Sequence, residues 1–230
     1  MSISHGTKDE GRIAMSIPCM PVTGDIADFG VQHPEKYRDC TRLPLKQFWR
    51  GAEAMPTESG HAYVGAAEAG LCFYTYFQDS DVFSTATADN QKMWTLGDVV
   101  EFFIKPGLDQ SEYWEIHVTP NDFILDIYIP VRGKMQSGEI TWDALLAPES
   151  GATKRVEVGD DDDGCHWAVE LIIPWQAFDL TSRPVSGVIW PFAVCRYNYN
   201  QGLADPELSS TALLTIPSFH QYEDFTQLVF

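Results

Sequence analysis

The stretch Asp98-Val-Val-Glu101-Phe-Phe-Ile-Lys-Pro106-Gly107-Leu-Asp-Gln-Ser-Glu-Tyr113-Trp-Glu115-Ile-His117-Val-Thr-Pro120 decides the fold. Two runs rich in β-branched and aromatic residues flank a Pro-Gly turn, which reads as an antiparallel hairpin. Side chains alternate across a strand with period two. Trp114, Ile116 and Val118 therefore share one face, and Glu115, His117 and Thr119 share the other. In the preceding strand Glu101 lies with Val99 and Phe103, opposite Val100, Phe102 and Ile104.

The same signals recur on both sides. Residues 62–68 and 71–77 flank Ala-Gly as another hairpin, and 123–129 forms a strand after a Pro-Asn-Asp turn. Residues 155–158 and 166–173 flank Gly-Asp-Asp-Asp-Asp-Gly, and further strands are expected at 188–197, 213–216 and 227–230. Only 34–39 and 174–178 read as short helical turns. Many short strands with turn signals between them predict an all-β chain, an antiparallel β-sandwich of the jelly-roll-like or immunoglobulin-like class with little helix. Trp114, Trp167, Trp175 and Trp190 are the expected core tryptophans.

The chain has 230 residues, no internal repeat and no Pro/Gly/Ser linker, so one domain over 15–230 is expected. Residues 1–14 are polar and read as a disordered extension. Fifteen basic against thirty-three acidic residues give a formal net charge of −18, a field that repels phosphate backbones and anionic lipid. Nucleic acid and membrane are thus excluded as expected partners, whereas neutral ligands and cations are allowed. Five cysteines without a C-x-x-C pair argue against a zinc knuckle and read as small buried hydrophobes. The apolar stretch after Arg12 is only Ile13-Ala-Met15, broken by Pro18, so no signal peptide is read, and the chain is expected in the cytosol by default or exported by an unread route.

Parity arguments place Glu101, Glu115, His117, Asp126, Arg196 and Asn198 on one sheet face if their strands are neighbours. So many polar groups on a sandwich face must be solvated or must meet a ligand. Trp94 stands four residues before Asp98. An aromatic ring beside strand-borne carboxylates suits a sugar: the ring covers the C–H face of a pyranose, and the acid accepts its hydroxyl hydrogen bonds.

Trp94-x3-Asp98-x2-Glu101-Phe-Phe, the strand-turn 115–120, Trp167-Ala-Val-Glu-Leu-Ile-Ile-Pro-Trp175 and the tail Glu207-Leu-Ser-Ser…Pro217-Ser-Phe-His-Gln-Tyr-Glu-Asp-Phe225 follow one another in order. Together they resemble the family 9 carbohydrate-binding modules, which accompany xylanases and other glycan-degrading enzymes. The resemblance runs from roughly residue 71 to residue 230. It implies a slot that clamps a mono- or oligosaccharide between two aromatic rings, with a glycoside hydrolase as a possible partner. Trp94 matches the first ring and Phe219 the second, where sugar-binding members carry Trp. Glu101 matches the carboxylate that receives sugar hydroxyls, and His117 stands near a polar strand position that is often Arg. Ala193 and Cys195 fall where polar residues are common. The expected carbohydrate-binding residues are Trp94, Asp98, Glu101, His117, Arg196, Phe219 and His220, with Arg196 expected beside Glu101 or Glu115 as counter-charge.

No catalytic residue is expected. Asp98 and Glu101 alternate to opposite faces, a poor acid–base pair for a glycosidic bond. Glu101 with Glu115 is the remaining arrangement for a small glycoside-processing enzyme, and a structural sandwich that has lost its sugar is the other alternative. No G-x-S-x-G motif occurs. No cofactor is expected. Calcium on the acidic run 160–163 is an alternative, because that ion takes several oxygens, but the run lacks the spaced ligand pattern of a dedicated loop.

Overall fold

In the computed structural model of the protein, residues 14–23, 34–161, 164–199 and 205–230 are described. Residues 1–13 of the extension read above over 1–14, and residues 162 and 163 of the acidic run, lie outside them. The strands are β1 (Ser16–Pro18), β2 (Met20–Pro21), β3 (Leu43–Pro44), β4 (Gly60–Ala66), β5 (Gly70–Gln78), β6 (Val99–Ile104) and β7 (Tyr113–Val118). They continue with β8 (Ile124–Ile129), β9 (Thr153–Asp161), β10 (Gly164–Pro174), β11 (Ile189–Asn198), β12 (Glu207–Ser210) and β13 (Thr226–Val229). One α-helix, α1 (Trp142–Leu146), is present among the described residues, started by Thr141, whose side chain accepts the amide of Ala144.

These strands make two sheets. The first runs β1-β13-β11-β6-β7-β8, with β12 also on β11; the second runs β2-β4-β5-β10-β9, with β3 also on β4. The sandwich is as expected, but it is not purely antiparallel: β1 joins β13 and β2 joins β4 in parallel. The amino-terminal segment reaches both sheets, a non-local pairing that alternation cannot reveal. The strand expected at 213–216 is absent. The strand in this region is β12 on β11, and the chain after it crosses the sheet face with Ala212 and Leu214 buried.

The core lies between the sheets. Val100, Phe102 and Ile104 from β6, Ile116 and Val118 from β7 and Phe192 and Val194 from β11 meet Leu71, Phe73 and Phe77 from β5 and Trp167, Val169, Leu171 and Ile173 from β10. All four predicted core tryptophans are buried. Burying each large apolar side chain stabilises the fold by about 1.5–3 kcal/mol. Four of the five cysteines are buried as expected, whereas Cys165 is exposed.

The outer face of the first sheet is covered as well. Val99, Phe103, Tyr113, Leu125, Ile127, Ala193 and Cys195 form a second apolar cluster with Leu145 of α1 and with Leu214, Phe219 and Phe225 of the carboxy-terminal crossing. Every residue of β6 and β7 is consequently buried. Polar groups on this face are held in an enclosed setting, which a two-layer sandwich open to water would not provide.

Gly97 ties the approach to β6. Its φ is +134°, and an added Cβ would stand 2.6 Å from the Phe83 carbonyl oxygen and 2.7 Å from Ser84 Cα. Both obstacles are backbone. Gly97→Ala is expected to cost about 2 kcal/mol, about 4–8 °C in Tm for a domain of this size. Thermal unfolding checks this, and an unchanged Tm would show that the 83–98 loop yields freely.

Candidate functional site

A cavity of about 530 Å³ opens on the outer face of the first sheet. Its floor is Glu101 of β6 and Glu115 of β7; its walls include Trp94, Tyr113, Trp142, Tyr197, Phe219 and His220. The register explains the floor. Glu101 pairs with His117 across β6–β7, and Glu115 lies two residues earlier on the same face as His117. On the other side Glu101 pairs with Cys195 and Phe103 with Ala193, so these two small residues leave the floor uncovered.

Of the seven expected residues, Trp94, Glu101, Phe219 and His220 line the cavity. His117 is wholly buried beneath it, edge-on to the Trp94 ring at 5.5 Å. Its Nε2 is 2.7 Å from Glu115 Oε1, and its Nδ1 is 3.3 Å from Glu101 Oε1 without an aligned hydrogen bond. One imidazole thus stands between two carboxylates. Burial first, and then the charge of Glu115, push the Glu101 carboxyl well above the usual carboxylate range.

That shift sets a pH dependence. A carboxyl whose folded value is raised contributes stability that is fully present below its unfolded value and is lost as pH rises through the folded value. Glu101→Gln cannot ionise and keeps the shape. The variant is expected to match the wild type near pH 4 and to exceed it near pH 8 by about 1–4 kcal/mol, as when buried ionic groups are replaced isosterically. Denaturant titrations at both pH values decide it. A variant less stable at pH 8 would mean that an ionised Glu101 is stabilising.

Asp98 and Arg196 are placed elsewhere, which corrects the expectation. Asp98 is buried and accepts the amides of Phe83 and Tyr199, each at 2.8 Å, so it fastens the loop that carries Trp94. Burial and the charge of Asp79 push it up to about 7 against the pull of the two amides. Arg196 pairs in register with Val100, on the core side of the sheet. There it donates to Asp79 Oδ2 at 2.8 Å, to Asn198 Oδ1 at 3.0 Å and to the Gln78 carbonyl at 3.1 Å. Asn198 donates in turn to Glu58. The single polar face expected for Glu101, Glu115, His117, Asp126, Arg196 and Asn198 is therefore divided: the first three lie under the cavity, Arg196 and Asn198 share a network on the opposite face, and Asp126 joins neither. Asp126 pairs with Ile116, also away from the cavity, and accepts the Ser150 amide and hydroxyl.

Phe219 is only 4% exposed and meets Tyr197 at 5.2 Å and 82°. It closes a wall and offers no free ring face. Trp94 and Trp142, 6.0 Å apart and edge to face, are half-buried and present the accessible rings. Trp142 was not expected. It lies in α1, in a stretch without strand period, and no local signal marks it. Glu115 was legible by parity as a floor partner of Glu101.

No family model matches the chain, and no curated protein matches it in sequence. Solved structures do match. A Bacteroides uniformis protein assigned to carbohydrate binding superposes with a TM-score of 0.70 at 15% identity, covering 95% of this chain and 100% of that one. A family 9 carbohydrate-binding module of Caldicellulosiruptor kristjanssonii, in complex with cellotriose, superposes with a TM-score of 0.61 at 10% identity over 93% of this chain and 92% of that one. The fold is that of the family 9 carbohydrate-binding modules. The same module in complex with glucose matches with a TM-score of 0.57, again at 10% identity. At these identities the likeness carries the fold alone. In this family 9 fold, the chain sets two carboxylates and a buried imidazole under a ring of aromatic side chains.

Proposed function

We propose that the cavity binds a carbohydrate and that the protein is a non-catalytic binding module. The observation that carries this is the join of half-buried tryptophan faces with a carboxylate floor in one cavity. Trp94 and Trp142 cover the C–H face of a sugar ring, and Glu101 and Glu115 accept its hydroxyls. The fold shared with a module solved in complex with cellotriose and with glucose supports the same reading.

Non-catalysis is favoured by how the two acids are held. Hydrolysis of a glycosidic bond uses two carboxyl groups standing on either side of it. Here both are turned to one imidazole, and one acceptor or nitrogen atom from each of Glu101, Glu115 and His117 falls within 4.8 Å of the others. A few rings and hydrogen bonds give roughly micromolar to millimolar affinity. A role beside a glycoside hydrolase in glycan breakdown follows as part of this proposal. A glycan array on the whole protein, followed by calorimetry on the hits, tests the reading. An array without a hit would remove it.

A further inference from the structure

The floor of the cavity holds an acid oxygen that its surroundings do not answer. Glu115 is 4% exposed, and its Oε2 has no hydrogen-bond partner among the described residues. Its Oε1 is already engaged by His117, which Glu101 also faces on the other side of the ring. An orphaned carboxylate oxygen in an enclosed site is costly and wants a donor.

The basic side chains described on the cavity wall do not supply it. Arg132 is held by Glu223 through two hydrogen bonds of 2.7 and 2.6 Å, and it lies over the Tyr222 ring. His220 Nδ1 is 3.7 Å from Glu115 Oε2, beyond hydrogen bonding, and is shared with the Tyr113 hydroxyl at 2.9 Å. The walls are rings, whose negative faces attract a cation and give a neutral group no such gain. The chain's net charge of −18 adds long-range attraction of the same sign.

We propose that the site prefers an amino sugar with a free ammonium group over its neutral counterpart, the ammonium seated at Glu115 Oε2 and Glu101. This rests on the carbohydrate reading and names its ligand class. An ammonium brings three donors and one charge, so it fills the orphaned acceptor and opposes the Glu115 charge that disfavours ionisation of Glu101. A neutral hydroxyl fills only the acceptor.

The test is calorimetry on the whole protein at pH 6.5 in low salt. The probes are glucosamine and galactosamine, their parent hexoses and their N-acetyl forms, with a glucosamine disaccharide beside cellobiose. The amines are expected to bind at least about tenfold more tightly than the parents, and N-acetylation should erase the gain. Glu115→Gln, which also weakens the parent by altering a hydroxyl acceptor, should bring the amine-to-parent ratio below about threefold. If that variant does not fold, the wild-type ratio decides alone. Parents that bind as tightly as amines would overturn the ammonium preference and leave the carbohydrate reading intact. No binding by any probe, together with an empty array, would remove both. Stoichiometric binding of Zn²⁺ or Mn²⁺ alone, lost in Glu115→Gln, would also overturn the preference, because a metal would then own the orphaned oxygen.

Discussion

Arg196→Met is expected to destabilise the protein by about 3–5 kcal/mol near pH 8, the cost of leaving a buried partner charge uncompensated. Arg196 is 1% exposed and crosses from the first sheet to Asp79, which directly follows β5 of the second. Asp79 is itself 2% exposed and also accepts the Trp167 indole N–H at 3.2 Å. The guanidinium lies 4.9 Å over the Phe77 ring, so methionine keeps the stem packing and removes the charge and five donors.

The loss depends on pH with a definite sign. Burial raises the Asp79 carboxyl and Arg196 opposes that rise. A raised carboxyl contributes stability that is present at low pH and is lost as pH climbs through its folded value. Without Arg196 the rise is larger, so the variant loses more at pH 8 than the wild type does. Near pH 4 a protonated Asp79 no longer needs the cation, and the gap should narrow. Arg196 also opposes the rise of Asp98 and helps to lower Glu58, so losing it weakens both ionised acids at pH 8 and the gap again narrows as they protonate. Urea unfolding at the two pH values measures this. Equal losses at both would assign Arg196 to packing alone.

Trp94→Ala is the second large effect, and it falls on binding. The ring forms a wall of the cavity directly over His117 and edge to face with Trp142. Removing it takes away the stacking surface, opens His117 to water and loosens Trp142. An aromatic face on a planar or ring-shaped ligand is worth roughly 1–3 kcal/mol by analogy with base stacking, so affinity for any sugar found on the array should fall about 10- to 100-fold. Trp94→Phe should recover part of the loss. The loop itself should survive, because Asp98 and the bond from the Tyr199 hydroxyl hold its backbone. Calorimetry on a correctly folded alanine variant, judged by an unchanged near-native Tm, gives the answer. Undiminished affinity would move the sugar away from Trp94.

Much of this was readable along the chain because strands obey a local rule. Alternation placed β4 through β8, β10 and β11 to within a few residues, and it put Glu101, Glu115 and His117 on one face. It also separated Trp114, Ile116 and Val118 into the core side. Period two fixes which residues of one strand lie together. It does not fix which residue of the next strand stands opposite, because that is register, set by pairing between distant segments. Arg196 shows the difference: one residue of register turns it from Glu101 to Val100, and so from the cavity to the core and Asp79.

The sequence by itself determined the sandwich, its core tryptophans and an aromatic–acidic pairing of Trp94 with Glu101. The tertiary structure alone decided the rest. It brought α1 and the 211–225 crossing over the first sheet, which buried the floor and supplied Trp142 as a wall. It joined the amino-terminal strands in parallel to both sheets. It also split the acidic residues into a cavity floor and a buried inter-sheet network. The reason is one of range: side-chain direction follows from neighbouring residues, whereas enclosure, and with it the electrostatics of Glu101 and Glu115, arises only when remote segments pack.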